Sequence, residues 1–280
     1  MCDTFPTAYP FGPDPSADPD AGPTVALVHG LEDDWRSWRS LVRELRRRET
    51  LKNARFRALD LPWRSGCDYT WRRATTPSDW VDRGLGTLAQ PPQVVIAHSF
   101  GANAVLELLA TRPSASQPMA VVLIAPFYRP PSVPVTWKLF EQSRDNFNQQ
   151  MHDGVVARLS RRGRVIEEDV LESMIRKTVE RVGPSGFLAV FDQFVGSGEL
   201  RLADVRPPTL VLAGARDPGL GRRRGAVLTE EMPAADVVLH EEWDHFCHIR
   251  HADEVATRIT GFLDTLHHER DGAEHRERSA

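Results

Sequence analysis

The sequence predicts an α/β fold: a doubly wound, mostly parallel sheet with a helical cap inserted after the sixth strand. Three observations lead to this prediction. Short apolar runs alternate with helical patterns, most runs are apolar throughout, and the alternation stops between residues 127 and 204. Continuous apolar runs are typical of strands buried on both faces of a parallel sheet. Strand–helix alternation implies right-handed crossovers between such strands.

Each element of this prediction is a short segment of the chain. Apolar runs of about five or six residues are predicted to be strands: Thr24–His29, Phe56–Leu61, Gln93–His98, Ala120–Ala125, Thr209–Ala213 and Ala235–His240. Apolar residues spaced three and four apart predict helices that follow several of these strands: Trp35–Arg48, Ser78–Ala89, Gly101–Ala110 and Asp253–Leu266.

Residues 127–204 show helical periodicity and no convincing buried strand. We interpret them as a helical cap between the sixth and seventh sheet strands. The core then comprises residues 23–126 and 205–266. The predicted cap helices are Thr136–Asn148, Gly154–Ser160, Glu167–Val182 and Pro184–Phe194.

The two ends of the chain are predicted to lie outside the core. Residues 1–22 are rich in Pro, Asp, Gly and Ala, which predicts a flexible N-terminal arm. Residues 267–280 are charged and nearly free of apolar side chains, so they cannot add to a core and are expected to be disordered.

Composition excludes several classes of protein. The net charge of −4 argues against a nucleic-acid-binding protein, which normally carries a basic excess. Three cysteines give no disulfide framework and fit a reducing compartment. The N-terminus lacks the basic and apolar regions of a secretory signal, and no apolar stretch reaches 18 residues. We therefore expect a cytoplasmic protein without membrane association.

A serine lies between a predicted strand and a predicted helix in the pentapeptide Ala97-His98-Ser99-Phe100-Gly101. A serine in such a sharp turn projects its hydroxyl above the sheet, with the positive end of the helix beneath it. The turn requires small neighbours because its backbone is crowded, and Ala97 and Gly101 provide them. The alternative is a serine–glycine loop that ends an ordinary strand.

The pentapeptide resembles the nucleophile motif G-x-S-x-G of the α/β-hydrolase family, with alanine in place of the first glycine. The resemblance implies a catalytic serine followed along the chain by an acid and a histidine. Asp217 follows the predicted strand Thr209–Ala213, and His245 follows Ala235–His240. Both therefore lie at the carboxyl ends of strands, where ligands bind in open α/β sheets.

Other interpretations of these two residues stay open. Asp217 precedes Pro218 and could be a turn aspartate, and His245 could be a packing histidine at the start of a helix. Three further acids could replace Asp217 as the partner of the histidine: Glu241, Glu242 and Asp244.

The resemblance also implies two backbone donors for an oxyanion. In the family, a His-Gly pair at the end of the first core strand turns the next backbone N–H toward the developing charge. His29-Gly30 stands at this position, so we assign the N–H groups of Leu31 and Phe100 to the oxyanion hole. A simple strand-end turn is the alternative for His29-Gly30.

Aromatic residues are the candidates for the substrate pocket, because the family's cap covers the site. They are Trp35, Phe127, Trp137, Phe140, Phe187 and Phe191, with Phe194 as a further cap residue. An apolar cap predicts a substrate with a hydrophobic acyl or ring portion. The alternative is that these residues form only the cap's own core.

Two other groups of residues have weaker functional interpretations. The cluster His240, His245, Cys247, His248 and His251 lacks a recognised zinc spacing, so we assign no metal and no cofactor. The basic runs Arg161-Arg162 with Arg164, and Arg222-Arg223-Arg224, could contact a phosphate or a carrier protein; solvated loops are the alternative.

The sequence therefore predicts a serine hydrolase that cleaves an ester, thioester or lactone through an acyl-enzyme. Its partner would be a small-molecule substrate or a carrier-bound acyl group. Three alternatives use the same fold: a carbon–carbon bond hydrolase, an acyl transferase, and a non-hydrolytic cyclase or ligand-binding member.

Overall fold

Seven strands form one sheet in the structure, a computed structural model that describes residues 5–12, 22–112, 117–160 and 167–278. The spatial order is β1-β3-β2-β4-β5-β6-β7. The pair β1–β3 is antiparallel and the other pairs are parallel, which confirms the predicted sheet. The strands are β1 (Thr7–Pro10), β2 (Thr24–Val28), β3 (Arg55–Asp60), β4 (Val94–His98), β5 (Ala120–Ile124), β6 (Thr209–Gly214) and β7 (Ala235–His240).

Helices cover both faces of this sheet, so β2, β4, β5 and β6 are buried along their whole length. Their continuous apolar sequences are explained by that double burial. The helices are α1 (Arg39–Leu45), α2 (Pro77–Leu85), α3 (Ser99–Thr111), α4 (Trp137–Ser160), α5 (Glu168–Ser197), α6 (Gly221–Glu231), α7 (Cys247–Arg250) and α8 (Ala252–Arg278). Short 3-10 turns occur at Trp35–Trp38, Glu49–Leu51, Thr70–Arg73 and Leu202–Asp204.

Part of the predicted N-terminal arm is a strand. Thr7–Pro10 pairs antiparallel with β3, and the ring of Tyr9 stacks on Trp35 with centroids 5.0 Å apart. The prediction of a flexible arm was wrong for this segment because β3 offers an unpaired edge that satisfies its backbone groups. Residues 1–4 and 13–21 of the predicted arm lie outside the described residues.

The helical insertion consists of α4 and α5, which we call the cap. It follows β5, which is the fifth strand along the chain and not the sixth, because β1 is the one described strand that precedes β2. The predicted break before Pro184 is present: Gly183 has a φ of 55° and separates two helical stretches. The break predicted between Asn148 and Gly154 is absent, since α4 runs without interruption.

Helix α8 continues to Arg278, so the disorder predicted from residue 267 onward was wrong for most of that segment. Alanine, glutamate and arginine favour helix without needing a buried face. Within the described residues, no helix combines the length and the apolar composition needed to cross a bilayer.

The cysteines also differ from expectation. Cys67 is disulfide-bonded, whereas Cys247 is free and buried. The low cysteine count therefore did not exclude a disulfide.

The cap is bound to the core through the loop after β2. Arg181 of α5 forms an ion pair with Glu32, with Nη2 2.6 Å from Oε2. Arg158 of α4 donates to the backbone carbonyl of Glu32 at 2.8 Å, and the hydroxyl of Tyr69 donates to Oε1 at 3.0 Å. Glu32 is almost fully buried, so these contacts compensate a charge that would otherwise be costly to bury.

A buried asparagine joins α3 to the chain that leads into the cap. The amide of Asn103 donates to the carbonyl of Phe127 at 2.7 Å and accepts from the Phe127 N–H at 2.9 Å. This pair of hydrogen bonds satisfies both backbone groups of a residue that has left the sheet.

We expect Asn103→Ala to lower the free energy of unfolding by about 2–4 kcal/mol, because two buried backbone groups lose their partners. Urea denaturation measures the change. Asn148→Ala, at an exposed position of α4, is the matched control and should change stability by less than about 0.5 kcal/mol. Equal, small effects of both substitutions would contradict the assigned role of Asn103.

Candidate active site

Ser99 lies at the junction of β4 and α3 with a φ of 52°, in the left-handed region that non-glycine residues rarely adopt. The serine is half-buried, whereas Ala97 and Phe100 on either side are fully buried. This conformation turns the hydroxyl away from the strand and over the carboxyl edge of the sheet. A left-handed residue of this kind costs on the order of 1–3 kcal/mol and persists only where packing maintains it.

Gly101 allows that packing. A Cβ atom at this position would lie 2.4 Å from the carbonyl oxygen of His29 and 2.9 Å from that of Val28. The first turn of α3 therefore rests directly on the end of β2. Any larger side chain would separate the helix from the strand and displace Ser99.

Three side chains from distant parts of the chain meet above the sheet. Nε2 of His245 lies 2.8 Å from Oγ of Ser99, and Nδ1 of His245 lies 2.8 Å from Oδ2 of Asp217. His245 and Asp217 are both nearly fully buried. A hydrogen bond donated by Nδ1–H of His245 to Asp217 leaves Nε2 of the same ring as the acceptor that faces the hydroxyl of Ser99.

The loop after β6 holds the acid in place. Oδ1 of Asp217 accepts a hydrogen bond from the N–H of Gly219 at 2.8 Å, and the N–H of Asp217 donates to Gly214 at 3.0 Å. The competing acids have other partners or positions. Glu241 pairs with Arg222, Asp244 pairs with Arg250 at 2.9 Å, and Glu242 is exposed.

The two expected oxyanion donors flank the serine. A Cβ on Gly30 would lie 3.2 Å from Cβ of Ser99, so the chain that carries Leu31 passes close to the nucleophile. Phe100 lies in the first turn of α3, where backbone N–H groups have no partner within the helix. The side chain of Phe100 points into the core against Trp63 and Trp71, with centroids 5.1 and 5.8 Å away.

Two adjoining cavities beneath the cap are relevant to the site. A cavity of about 20 Å³ adjoins Ser99 and His245, and Leu31, Phe147 and Met151 are among the residues that enclose it. A second cavity of about 320 Å³ lies between the cap helices and the loop after β6. Gln150 and Val190 line both cavities and so form the partition between them. Nε2 of Gln150 is 3.3 Å from Nδ1 of His245.

Three of the aromatic residues predicted to contact substrate line the larger cavity: Phe127, Phe187 and Phe191. Phe194, predicted as a further cap residue, lines it as well. The other three predicted residues do not line this cavity. Trp35 stacks on Tyr9 at the outer edge of the sheet, because the 3-10 turn directs it there. Trp137 is 73% exposed at the first turn of α4, and Phe140 packs between Phe187 and Phe191 without lining the cavity.

A buried polar cluster lies behind the serine. Asp33, His98 and His248 bring potential metal-ligating atoms within 4.8 Å of one another, and they form the set within the described residues that could hold an ion. Nε2 of His98 is 2.9 Å from the carbonyl of His245, which leaves Nδ1 facing Gly30. His240 and His251 of the predicted histidine cluster lie elsewhere, near Glu254.

Burial shifts the protonation equilibria of this cluster. It lowers the pKa of His98 well below its ordinary value of 6.5, and the neighbouring titratable side chains of His248 and His245 act in the same direction. Burial raises the pKa of Asp33, although the guanidinium of Arg158 opposes that change. Because burial disfavours its charged form, His98 is neutral at physiological pH.

Sequence reasoning missed the polar residues that face the site from other elements. Gln150 lies on a cap helix rich in polar residues, where one amide carries no distinguishing signal. Asp33 and His98 come from loops and strand ends that meet only in the folded chain. Arg224 was noted as part of a basic run, but its place in the cavity wall depends on how α6 packs. The basic run of Arg161, Arg162 and Arg164 lies outside the described residues.

Comparison with known proteins gives a family match and several structural likenesses. Residues 25–258 match the model of the alpha/beta hydrolase family. No curated protein matches the chain. A bacterial membrane phospholipase A has a TM-score of 0.67 at 18% identity, with 94% of this chain and 83% of that chain covered.

Two further solved structures have similar folds. The enol-lactonase from Burkholderia xenovorans has a TM-score of 0.59 at 19% identity, covering 92% of this chain and 96% of that chain. An esterase from Exiguobacterium antarcticum has a TM-score of 0.60 at 13% identity, covering 92% and 95%. At these identities the likeness establishes the fold alone.

We expect Gly101→Ala to lower the free energy of unfolding by about 2 kcal/mol or more, because the new methyl group would overlap the carbonyl of His29. Thermal unfolding measures the change. Gly196→Ala is the matched control, since a Cβ there meets nothing within 4 Å; its melting temperature should be unchanged or slightly higher. A Gly101→Ala protein as stable as the wild type would contradict the close approach of α3 to β2.

The depressed pKa of His98 predicts a pH dependence of stability. The free energy of unfolding should be at its full value, as far as His98 is concerned, above about pH 6.5. It should decrease as the pH falls below that value, because His98 then binds a proton in the unfolded chain but not in the folded one. Below that pH, we expect the free energy of unfolding to fall by about 1.4 kcal/mol per pH unit.

Urea denaturation of wild-type and His98→Gln proteins between about pH 7.5 and 5.5 measures this slope, which should be smaller in the variant. His267→Gln, at an exposed position, is the control and should keep the wild-type slope. An identical slope in wild-type and His98→Gln proteins would show that His98 is protonated equally in both states.

Proposed function

We propose, from the premise that this chain belongs to the alpha/beta hydrolase family, that it is a serine hydrolase acting on an ester, thioester or lactone through an acyl-enzyme. The observation that carries the proposal is the continuous contact from Ser99 through His245 to Asp217, with both donor–acceptor distances at 2.8 Å. This chemistry requires a nucleophile, a base and an orienting acid that lie within hydrogen-bond reach of one another.

The proposed reaction has two halves. His245 removes the proton from Oγ of Ser99 while the oxygen attacks the substrate carbonyl, and the imidazolium then protonates the leaving group. Water then gives a proton to the same histidine as it attacks the acyl carbonyl; the bond from the acyl carbon to Oγ breaks, and the imidazolium returns the proton to Oγ of Ser99. Asp217 remains ionised, keeps the imidazole in one tautomer and stabilises its transient positive charge.

The oxyanion of each tetrahedral intermediate would lie between the N–H groups of Leu31 and Phe100. Backbone donors fixed by a strand end and a helix start do not reorganise during the reaction, which is the source of their effect on rate. The proximity of Gly30 to Ser99 supports this position for the first donor. The positive end of α3 adds to the field at the second.

The cavity of about 320 Å³ supports a substrate with a hydrophobic acyl or ring portion, because aromatic and aliphatic side chains form much of its wall. The solved structures of similar fold include an esterase, an enol-lactonase and a phospholipase, which agrees with this bond class. A thioester on a carrier would follow the same chemical route.

The space next to Ser99, about 20 Å³, exceeds the roughly 10–15 Å³ that one water molecule needs, so it can take a group of about that size. A whole ester would therefore require Gln150 and Val190 to move away from the serine. These residues separate the two cavities, so the same movement would join them into one pocket.

We expect Ser99→Ala to abolish labelling by a fluorophosphonate probe and to lower kcat on 4-nitrophenyl esters by about 10⁴–10⁶. Circular dichroism of each variant confirms folding. A folded wild-type protein that neither reacts with the probe nor hydrolyses any ester, thioester or lactone would refute the proposal. That result would favour a non-hydrolytic member of the family.

The acid is tested by a matched pair of substitutions. Asp217→Asn should lower kcat by about 10⁴, because the amide presents the wrong hydrogen-bonding pattern to Nδ1 of His245. Asp244→Asn adjoins the same histidine but pairs with Arg250, so kcat should fall by less than about tenfold. Steady-state hydrolysis of one ester by both variants distinguishes the acids, and the reverse order of effects would make Asp244 the partner.

A further inference from the structure

We propose that Arg224 binds a carboxylate carried by the substrate, so that the natural ester has an apolar portion and an acidic group within the cavity of about 320 Å³. The inference rests on the proposed function, since it names the substrate class of the same site. Its basis is a half-buried guanidinium in the wall of a cavity whose other lining side chains, as described, are uncharged.

Arg224 is fixed in that wall by α6 and by the loop after β6. Its Nη1 donates to the carbonyl oxygens of Pro218 and Gly219, the second at 3.3 Å. Its Cζ lies 4.9 Å from the centre of the Phe194 ring, within range of a cation–π contact. Both Phe194 and Gly219 also line the cavity, so the guanidinium lies against the space that a ligand would occupy.

The charge of Arg224 has no acidic partner within salt-bridge distance in the part of the chain that the structure describes. Its neighbour Arg222 pairs with Glu241, and Arg223 is exposed to solvent. Among the described residues, the hydrogen bonds of Arg224 leave from Nη1, so Nε and Nη2 offer a pair of parallel donors. That edge of a guanidinium matches the two oxygens of a carboxylate.

Burial supports the same assignment. It lowers the pKa of Arg224, with the negative charge of Asp217 opposing the change, yet an arginine remains charged. A cation taken partly out of water without a counter-ion is unfavourable. A ligand carboxylate would provide the missing counter-ion and gain a charge-assisted hydrogen bond in a site of low dielectric.

The position of the cavity defines the rest of the substrate. Phe127, Leu139 and Phe191 line the space around the guanidinium, and Gln150 and Val190 separate that space from Ser99. An apolar segment would therefore lie between the reacting carbonyl and the carboxylate. A neutral lipid-like ester would leave Arg224 without a partner.

Arg224 also has a positioning role that the test must separate from binding. By holding the carbonyls of Pro218 and Gly219 it supports the loop that presents Asp217. Loss of that support would slow turnover of every substrate by the same factor. Loss of a carboxylate contact would weaken only the ligands that carry a charge.

The test measures binding of octanoate and of octanamide by titration calorimetry to the Ser99→Ala protein, with and without Arg224→Gln. These ligands share a chain and differ in charge. We expect octanoate to bind about tenfold more tightly than octanamide when Arg224 is present, as one charge-assisted hydrogen bond predicts. In Arg224→Gln the ratio should fall to about one, whereas the exposed substitution Arg223→Gln should leave it unchanged.

Equal binding of the two ligands to the protein with Arg224 would overturn the inference. A preference for octanoate that survives Arg224→Gln would also overturn it, because the charge would then be recognised elsewhere, such as at the oxyanion donors. Binding needs no turnover, so these outcomes are independent of whether Ser99 is catalytic.

Turnover provides the second measurement. The ratio of kcat/KM for 4-nitrophenyl hydrogen adipate to that for 4-nitrophenyl hexanoate should fall about tenfold in Arg224→Gln relative to wild type. A fall in both values with an unchanged ratio would assign Arg224 to loop positioning alone. If the charge-dependent binding is found but neither ester is hydrolysed, the cavity assignment stands and the proposed hydrolase function fails.

Discussion

Ser99 has a left-handed backbone conformation, and the rest of the site depends on the packing that maintains it. The serine cannot relax toward an ordinary strand or helix conformation while the first turn of α3 rests on the carbonyl of His29. Because β2 and β4 are adjacent and parallel, the same contact brings the segment that carries Leu31 close to Ser99. A single close approach of helix to strand thus sets the positions of both Ser99 and that segment. The close-packed core around this contact thus maintains the strained backbone of Ser99.

Topology then brings the remaining groups to that point. The chain elements that carry Asp217 and His245 follow β6 and β7, which are neighbours at the far side of the sheet. Their side chains can converge on Ser99 because all the parallel strands end at the same edge. Burial of both groups removes competing water from the contact between imidazole and carboxylate, which strengthens it. The cap completes this exclusion, since Gln150, Phe147 and Met151 close the space above the serine.

Features encoded by neighbouring residues could be predicted from the sequence. Ala97 to Gly101 form a local turn with a known conformational requirement, and strand ends locate Asp217 and His245. Residues whose role depends on the packing of distant elements could not be predicted. Trp35 and Phe191 are both aromatic, and only tertiary packing places the first on the outer edge and the second in the cavity wall. The pairing of Thr7–Pro10 with β3 was equally hidden, because a short Pro-containing segment acquires its structure from the edge it joins.

The ion pair at Glu32 limits how freely the cap could be exchanged between relatives. Glu32 lies one residue after Leu31, and two arginines of the cap bind it, one through the carboxylate and one through the backbone. A chimaera that carried a foreign insertion on this core would leave an anion sequestered from solvent and would release the segment that presents the Leu31 amide. Successful grafting would require a donor sequence with basic residues at the two equivalent places. In this scaffold, the cap and the core would therefore have to diversify together.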